Sequence, residues 1–329
     1  MFDILFKKGS DYVEYRHTIS DLKQMQSLPL EAKVRMTIQR INLWVDTYGI
    51  DNVYIAFSGG KDSTVLKHII YEKMGLDNIP LVFVNVPTQY PELKQFALKQ
   101  PNLIILNSEY SFMEICDRFG FPLISKRVAH DVNIARNKPN GRTAQKYFDK
   151  EKAPIYNSEK YKYLIDAPFS ISDQCCYYLK KKPVLKYEKL TGKHGITAQT
   201  ADESLTRREQ WLKYGCNMFN NIHPRSNPMS FWTEQDILQY IKDNKVELCN
   251  IYGRLVYTKN LKLKLTGCQR TGCMMCGFGC ANKKDNRFIQ LKQTHVKLYN
   301  LLDICTNNGY TFRQAIEWTN KNGNLNIKL

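Results

Sequence analysis

The sequence predicts an α/β protein: a doubly wound, mostly parallel sheet with an N-terminal helical segment and a C-terminal cysteine-rich and helical region. Three observations predict it. Runs that are apolar throughout, Val53-Tyr-Ile-Ala-Phe57 and Leu81-Val-Phe-Val-Asn-Val86 among them, alternate with amphipathic stretches. Strands without an outward polar face belong to sheets covered on both sides, which is how parallel sheets are built. A loop rich in serine and glycine follows the first of these runs, at the strand end where such sheets bind ligands.

Taken in order, residues 29–48 read as a helix, with Ser27 as cap, Pro29 in the first turn, and Val34, Ile38, Ile41 and Val45 on one face. After the first strand and its loop comes a helix that turns Val65, Leu66, Ile69, Ile70 and Met74 inward. The second strand leads to a helix opened by Pro91-Glu92. The third, Leu103–Leu106, leads to a helix from about Ser111 that Gly120 stops. Gly195–Ala198 reads as a strand and is followed by a helix from near Asp202 through Trp211. Residues 223–242 begin as a proline-punctuated loop and end as a helix capped by Thr233. The cysteine-rich segment 267–280 precedes an amphipathic helix with Phe288, Leu291, Leu298, Leu301 and Leu302 inward. The expected organisation is a helical segment (1–50), a nucleotide-binding α/β domain (51–250) and a metal-binding and helical region (251–329).

Residues 130–165 interrupt the alternation. They interleave Arg136, Lys138, Arg142, Lys146, Lys150, Lys152, Lys160 and Lys162 with Tyr147, Tyr156, Tyr161 and Tyr163. Cations for phosphates and rings for bases suit single-stranded or distorted nucleic acid. A solvated insertion whose tyrosines pack on the body accounts for the same pattern. The whole chain carries 48 basic against 31 acidic residues, a net charge of +17, which attracts polyanions and makes DNA or tRNA an expected partner. No run approaches the roughly 20 apolar residues of a membrane span, and the N-terminus lacks a secretory pattern, so a cytoplasmic enzyme without membrane contact is expected.

The loop Ser58-Gly59-Gly60-Lys61-Asp62-Ser63-Thr64 sits between a strand and a helix. Its glycines allow a sharp turn that points backbone N–H groups at an anion, and the helix adds its positive end. Ser58, Ser63 and Thr64 supply hydroxyls, Lys61 a charge, and Asp62 a ligand for Mg2+ between phosphates. It is not a Walker A loop, because Asp62 follows Lys61 where Ser or Thr would stand.

At these residues the sequence resembles the PP-loop ATP pyrophosphatase superfamily, whose signature is SGGxDS. Val84-Asn-Val-Pro-Thr-Gln-Tyr-Pro-Glu92, Glu203-Ser204 with Arg207, and Pro228-x-x-x-Trp232 followed by Asp236-Ile237 and Tyr240-Ile241 resemble its phosphoadenylylsulfate (PAPS) and adenylylsulfate (APS) reductase branch. The resemblance implies an adenine nucleotide α-hydrolase-like fold, ATP and Mg2+ as ligands, and cleavage between the α- and β-phosphates. Lys61, Asp62 and Arg207 would act in catalysis, with Ser58–Thr64, Glu203 and Ser204 on the nucleotide.

Ten cysteines in an intracellular chain read as metal ligands or catalytic thiols. The tandem Cys175-Cys176 with Cys273-x-x-Cys276 resembles the 4Fe–4S site of APS reductases. Cys268, Cys273, Cys276 and Cys280 form a rival local set, sufficient for zinc or for a cluster without the tandem pair.

Two departures separate the sequence from the sulfonucleotide reductases. Their C-terminal Glu-Cys-Gly-x-His nucleophile is missing, leaving Cys305 in Asp-Ile-Cys-Thr-Asn. Their Gly-x-Arg before the Glu-Ser element reads Ala198-Gln199-Thr200. The features come closest to iron–sulfur sulfurtransferases of the DNA-phosphorothioation type, or those of tRNA thiolation. That resemblance implies nucleic acid as substrate and a sulfur donor, such as a cysteine desulfurase, as a partner. A PAPS/APS reductase, a non-catalytic nucleotide-binding subunit and self-association stay open at this point.

Overall fold

The computed structural model describes residues 15–149, 151–152, 157–282 and 285–329. Lys150 and Tyr156 of the basic insert, and the side chain of Arg142, lie outside the described residues. The chain forms two compact units, neither of which is one contiguous stretch. Of the described residues, the first gathers those up to Phe83, Pro91–Ile105 and Tyr187–Arg270; the second gathers those of Val84–Tyr90, Leu106–Lys186 and Thr271–Leu329.

The first unit is built on the predicted sheet. Its strands are β1 (Val53–Ala56), β2 (Leu81–Asn85), β3 (Leu103–Asn107), β4 (His194–Ile196), β5 (Asn217–Met218) and β6 (Arg225–Ser226). Their order is β3-β2-β1-β4-β6-β5. Ile55 pairs with Leu81 on one side of β1 and with Ile196 on the other, both in parallel register, and Gly195 pairs in parallel with Arg225. The short edge strand β5 runs antiparallel to its neighbour. Val53, Ile55, Leu81 and Ile196 are fully buried, as all-apolar central strands require. Gly195 has a steric reason to be glycine: a Cβ there would stand 2.7 Å from the Tyr54 hydroxyl.

The N-terminal helix differs from the expectation. There are two helices, Ile19–Ser27 and Leu30–Tyr48, and Ser27 closes the first instead of capping the second, its hydroxyl bonded back to Gln24 O. Pro29 is the cap residue of the second helix. The fully buried face is Lys33, Thr37, Ile41 and Trp44, one residue back from the apolar stripe, whose other members are only half-buried. The cause is polar. Lys33 Nζ lies 2.7 Å from Asp236 Oδ2 and from Gln26 O, and Thr37 Oγ1 accepts the Trp232 indole N–H at 3.0 Å. Asp236 also caps its own helix, Glu234–Asp243, with Thr233 as the sequence predicts.

The second unit has an aromatic core in which Phe121 and Phe312 stack at 5.1 Å, close to parallel. Helix Phe112–Phe119 starts at its Ser111 cap and stops at Gly120, whose φ of +100° and 2.3 Å Cβ approach to the Ser170 backbone exclude a side chain. Leu123–Ile124 pairs in parallel with Gly277–Phe278, and Ile124 holds a left-handed φ of +65°. The expected single C-terminal helix is broken. Arg287–Thr294 and Val296–Asn300 are separated by His295, whose φ of −140° and ψ of 61° lie outside the helical region, and Phe312–Gly323 follows a small hairpin. Phe288, Leu291 and Leu302 are buried, while Leu298 and Leu301 pack at the margin. Among the described residues no helix is long and apolar enough to cross a membrane.

Candidate functional site

In the first unit, β1 runs into the glycine loop, and helix Lys61–His68 rises from it with Gly60 as its cap residue. Gly59 takes φ +71°, and a Cβ there would press to 3.0 Å from Leu93 O. The hydroxyls of Ser63 and Thr64 donate to Gly60 O at 3.0 and 2.9 Å. Ser63 Oγ in turn accepts the Ser58 N–H at 3.2 Å, and Ser58 Oγ accepts the Gly60 N–H at 3.3 Å. These hydroxyls brace the loop from within, so the turn is shaped before any ligand arrives. Preorganised amides cost little to align on an anion.

Lys61 is buried and its ammonium faces two carboxylates, Asp62 at 3.4 Å and Glu234 at 3.7 Å. Its backbone N–H donates to the Tyr252 hydroxyl at 2.9 Å. Glu203, Ser204 and Arg207 stand at the start of helix Leu205–Tyr214. Ser204 is the cap, accepting the Arg207 N–H, and Arg207 pairs with Glu203. Burial lowers Arg207 from the ordinary guanidinium value; the Asp62 carboxylate opposes that, and the Arg270 charge adds to it. Arg207 is therefore within electrostatic reach of the loop through Asp62, alongside a second guanidinium. Tyr252, Glu234 and Arg270 are absent from the sequence-based set. Glu234 carried a usable signal, being adjacent to the cap Thr233 in the Trp232 element, whereas nothing local marks Tyr252 or Arg270.

In the second unit, Cys175 and Cys176 lie on the short helix Gln174–Cys176, and Cys273 and Cys276 in the loop before Gly277. Their thiols interact. Cys175 is pushed far up by its hydrogen bond to the Cys176 thiol and by burial, with Cys276 and Cys273 adding to the effect. Cys176 is lowered by the same hydrogen bond, helped by the Lys180 and Lys126 charges. Burial pushes Cys276 up to about 12. Lys180 is raised chiefly by Cys273, to which it hydrogen-bonds, and also by Cys176 and Cys276. The four thiols of the tandem pair and the C-x-x-C motif thus share one neighbourhood with one ammonium. No group of three or more His, Cys, Asp or Glu among the described residues stands in a metal-holding arrangement.

The rival local set is not gathered in this way. Cys280 is buried with its thiol on Gly277 O at 2.6 Å, pushed up to about 11 by burial with Arg287 opposing. Cys268 belongs to the first unit, where its thiol reaches Arg270 O at 2.8 Å. Cys305 is fully buried and hydrogen-bonded to the thiol of Cys116.

The basic insert is partly consumed by the fold. Arg136 donates to the carbonyls of Leu164, Ile165, Ala167 and Phe169, Tyr163 reaches Thr319 O, and Tyr147 lies against Arg127. Lys160 and Lys162 are exposed.

A hydroxyl-braced turn at the carboxyl end of a parallel strand, with Lys61 at its side and Arg207 in electrostatic contact with Asp62, is a candidate anion-binding site of an α/β protein. The chain belongs to the family described as the phosphoadenosine phosphosulfate reductase domain, which matches residues 52–278. Similar curated proteins are sulfate adenylyltransferase subunit 2 of Shewanella pealeana, 25% identical over 202 residues, and of Aliivibrio fischeri, 24% identical over 233 residues. The first match covers 61% of this chain and 60% of the relative; the second covers 65% and 68%. The chain thus spans 60% of the length of the first of these relatives. Among solved structures, the PAPS reductase of Candida auris in a phosphate complex aligns at 15% identity and TM-score 0.37, covering 74% of this chain and 92% of that one. NMN synthetase of Francisella tularensis aligns at 10% and 0.34, covering 90% and 94%.

Proposed function

We propose that the chain is an ATP-dependent iron–sulfur sulfurtransferase that cleaves ATP between the α- and β-phosphates and thiolates nucleic acid. The observation that carries the sulfur-transfer part is the shared neighbourhood of Cys175, Cys176, Cys273 and Cys276, set against the buried, partnered Cys305. A reductase of this family type needs a thiol free to attack sulfate sulfur. Cys305, fully buried against Cys116, is poorly placed for that attack.

In this reading the ATP phosphates lie against the turn of residues 58–63 at the positive end of helix Lys61–His68. Lys61 and Arg207 neutralise charge that builds on the α-phosphate as a substrate oxygen attacks it, and pyrophosphate departs. Ser58, Ser63 and Thr64 hold the turn, so little reorganisation accompanies the step. Asp62 and Glu234, both facing Lys61, are oxygen donors that suit Mg2+ shared with phosphates. The four thiols suit a 4Fe–4S cluster in donor type and number, and Lys180 offsets thiolate charge. When bound, the cluster would supply or relay the sulfur that displaces AMP. Zinc is the alternative occupant. The +17 charge supports a polyanionic substrate, DNA or tRNA, held by such lysines as Lys160 and Lys162.

The names of the curated relatives favour a second reading, adenylyl transfer from ATP to sulfate, with no thiol step. Pyrophosphate release separates the two. Stimulation by DNA or tRNA, with sulfur gained in nucleosides or dinucleotides by mass spectrometry, supports thiolation. Stimulation by sulfate alone supports the second, and sulfite release from PAPS or APS with thioredoxin would restore the reductase.

A further inference from the structure

The first N–H groups of a helix have no partner within it, and at a phosphate loop they are the groups that take the anion. Here one of them is already occupied. The Lys61 N–H, first in helix Lys61–His68, donates to the phenolic oxygen of buried Tyr252 at 2.9 Å. A neutral hydroxyl oxygen therefore sits where a phosphate oxygen would compete for the same proton. A charged acceptor makes a bond roughly twice as strong as a neutral one, so phosphate wins that contest.

Tyr252 is also tied to residues 266–268. It ends the short turn Asn250–Tyr252, whose carbonyls grip the segment before the cysteines: Gly267 N–H donates to Tyr252 O and Cys268 N–H to Ile251 O, each at 2.9 Å. Arg254 N–H donates to Thr266 Oγ1 at 2.8 Å. The packing is too close for slippage, since a Cβ on Gly267 would stand 2.3 Å from Ile251 O. The phenol, its turn and residues 266–268 form one tightly bonded piece.

We propose that a nucleotide phosphate displaces the Tyr252 hydroxyl from the Lys61 amide and that the displaced turn carries Gly267 and Cys268 with it. Occupancy of the loop is thereby passed to the start of the cysteine-rich segment. The proposal rests on reading residues 58–63 as a nucleotide-phosphate loop. Tyr252 is a positioning residue here, and its effect on binding has the opposite sign from that of a merely structural tyrosine.

The test uses the full chain and inorganic pyrophosphate. In the wild type, hydrogen exchange should slow at residues 58–64 and quicken together at 250–254 and 266–268, because a piece that has lost its anchor on the Lys61 amide opens more often. By calorimetry Tyr252→Phe should bind pyrophosphate more tightly, by roughly two- to tenfold, the worth of one neutral hydrogen bond. Protection at 58–64 with unchanged or slower exchange at 250–254 overturns this proposal and leaves the nucleotide reading standing, as does a Tyr252→Phe protein that binds no tighter. A wild type that does not bind pyrophosphate removes both. Should the variant fail to fold, the wild-type exchange pattern decides alone.

Discussion

The thiols of Cys116 and Cys305 hydrogen-bond to each other inside the second unit, where both residues have no solvent exposure. Burial and that bond push Cys116 well above the usual thiol range, so its sulfur is no ready nucleophile at neutral pH, and the sulfur of Cys305 is closed off from a substrate by its burial. Cys305→Ala should leave ATP-dependent pyrophosphate release within about twofold of wild type while costing about 1–2 kcal/mol of stability, as a lost buried contact does. Urea denaturation beside the turnover assay checks it. Lost turnover at unchanged stability would return Cys305 to the chemistry.

In the proposed reaction Lys61 and Arg207 neutralise the charge that develops at the loop. Lys61→Ala should lower pyrophosphate release by about 10²-fold or more, the usual cost of deleting one electrostatic stabiliser of a developing anion. Arg207→Lys keeps the charge but loses the planar fork, and should lose about tenfold. Steady-state kinetics against ATP measures both, and equal rates for wild type and Lys61→Ala would remove the loop from catalysis.

Lys33 is almost wholly enclosed and its ammonium rests on Asp236 and Gln26 O. Removing one partner of a buried pair strands the other, so Lys33→Ala should cost about 3–5 kcal/mol. Lys33→Met with Asp236→Asn should cost less than Lys33→Ala alone. Denaturant midpoints of the variants decide whether the pair is strongly coupled.

Gly120→Ala places a Cβ 2.3 Å from the Ser170 backbone at a φ that L-residues avoid. The strained backbone and the clash together should cost about 3 kcal/mol or more. Thermal unfolding showing an unaltered midpoint would mean that the segment at Ser170 yields freely.

Arg136 and the neighbouring lysines should separate in a salt titration of nucleic-acid binding. Arg136 is occupied by four carbonyls, so Arg136→Lys should destabilise the fold yet leave the salt slope unchanged. Replacing exposed Lys160 and Lys162 by Ala should reduce the slope by about 1 per lost phosphate contact. An unchanged slope in the double variant would move nucleic acid, if bound, to another face.

The parallel sheet, its alternation with helices and the glycine loop were legible because each depends on local pattern: all-apolar runs, a cap such as Ser111 or Thr233, a stop such as Gly120. The first long helix was misread by one residue because its inward face is set by Asp236, some two hundred positions away, and no periodicity reports a buried lysine with a distant carboxylate. The break at His295 was likewise invisible, since the apolar spacing continues across it. At the site, motif residues could be named. Tyr252, Glu234 and Arg270 reach the loop's surroundings only through tertiary structure.

The two units also have an order in time. The chain crosses between them five times, but the last residue of the first unit is Arg270, while the second draws on residues to the end. During synthesis every residue of the first unit, the glycine loop included, has left the ribosome once residue 270 emerges. Cys175 and Cys176 must wait for Cys273 and Cys276, which lie just past that point, in the last piece of the second unit to be made. Were these four thiols to hold a group, it would be loaded only once residue 276 had emerged, after every residue of the first unit.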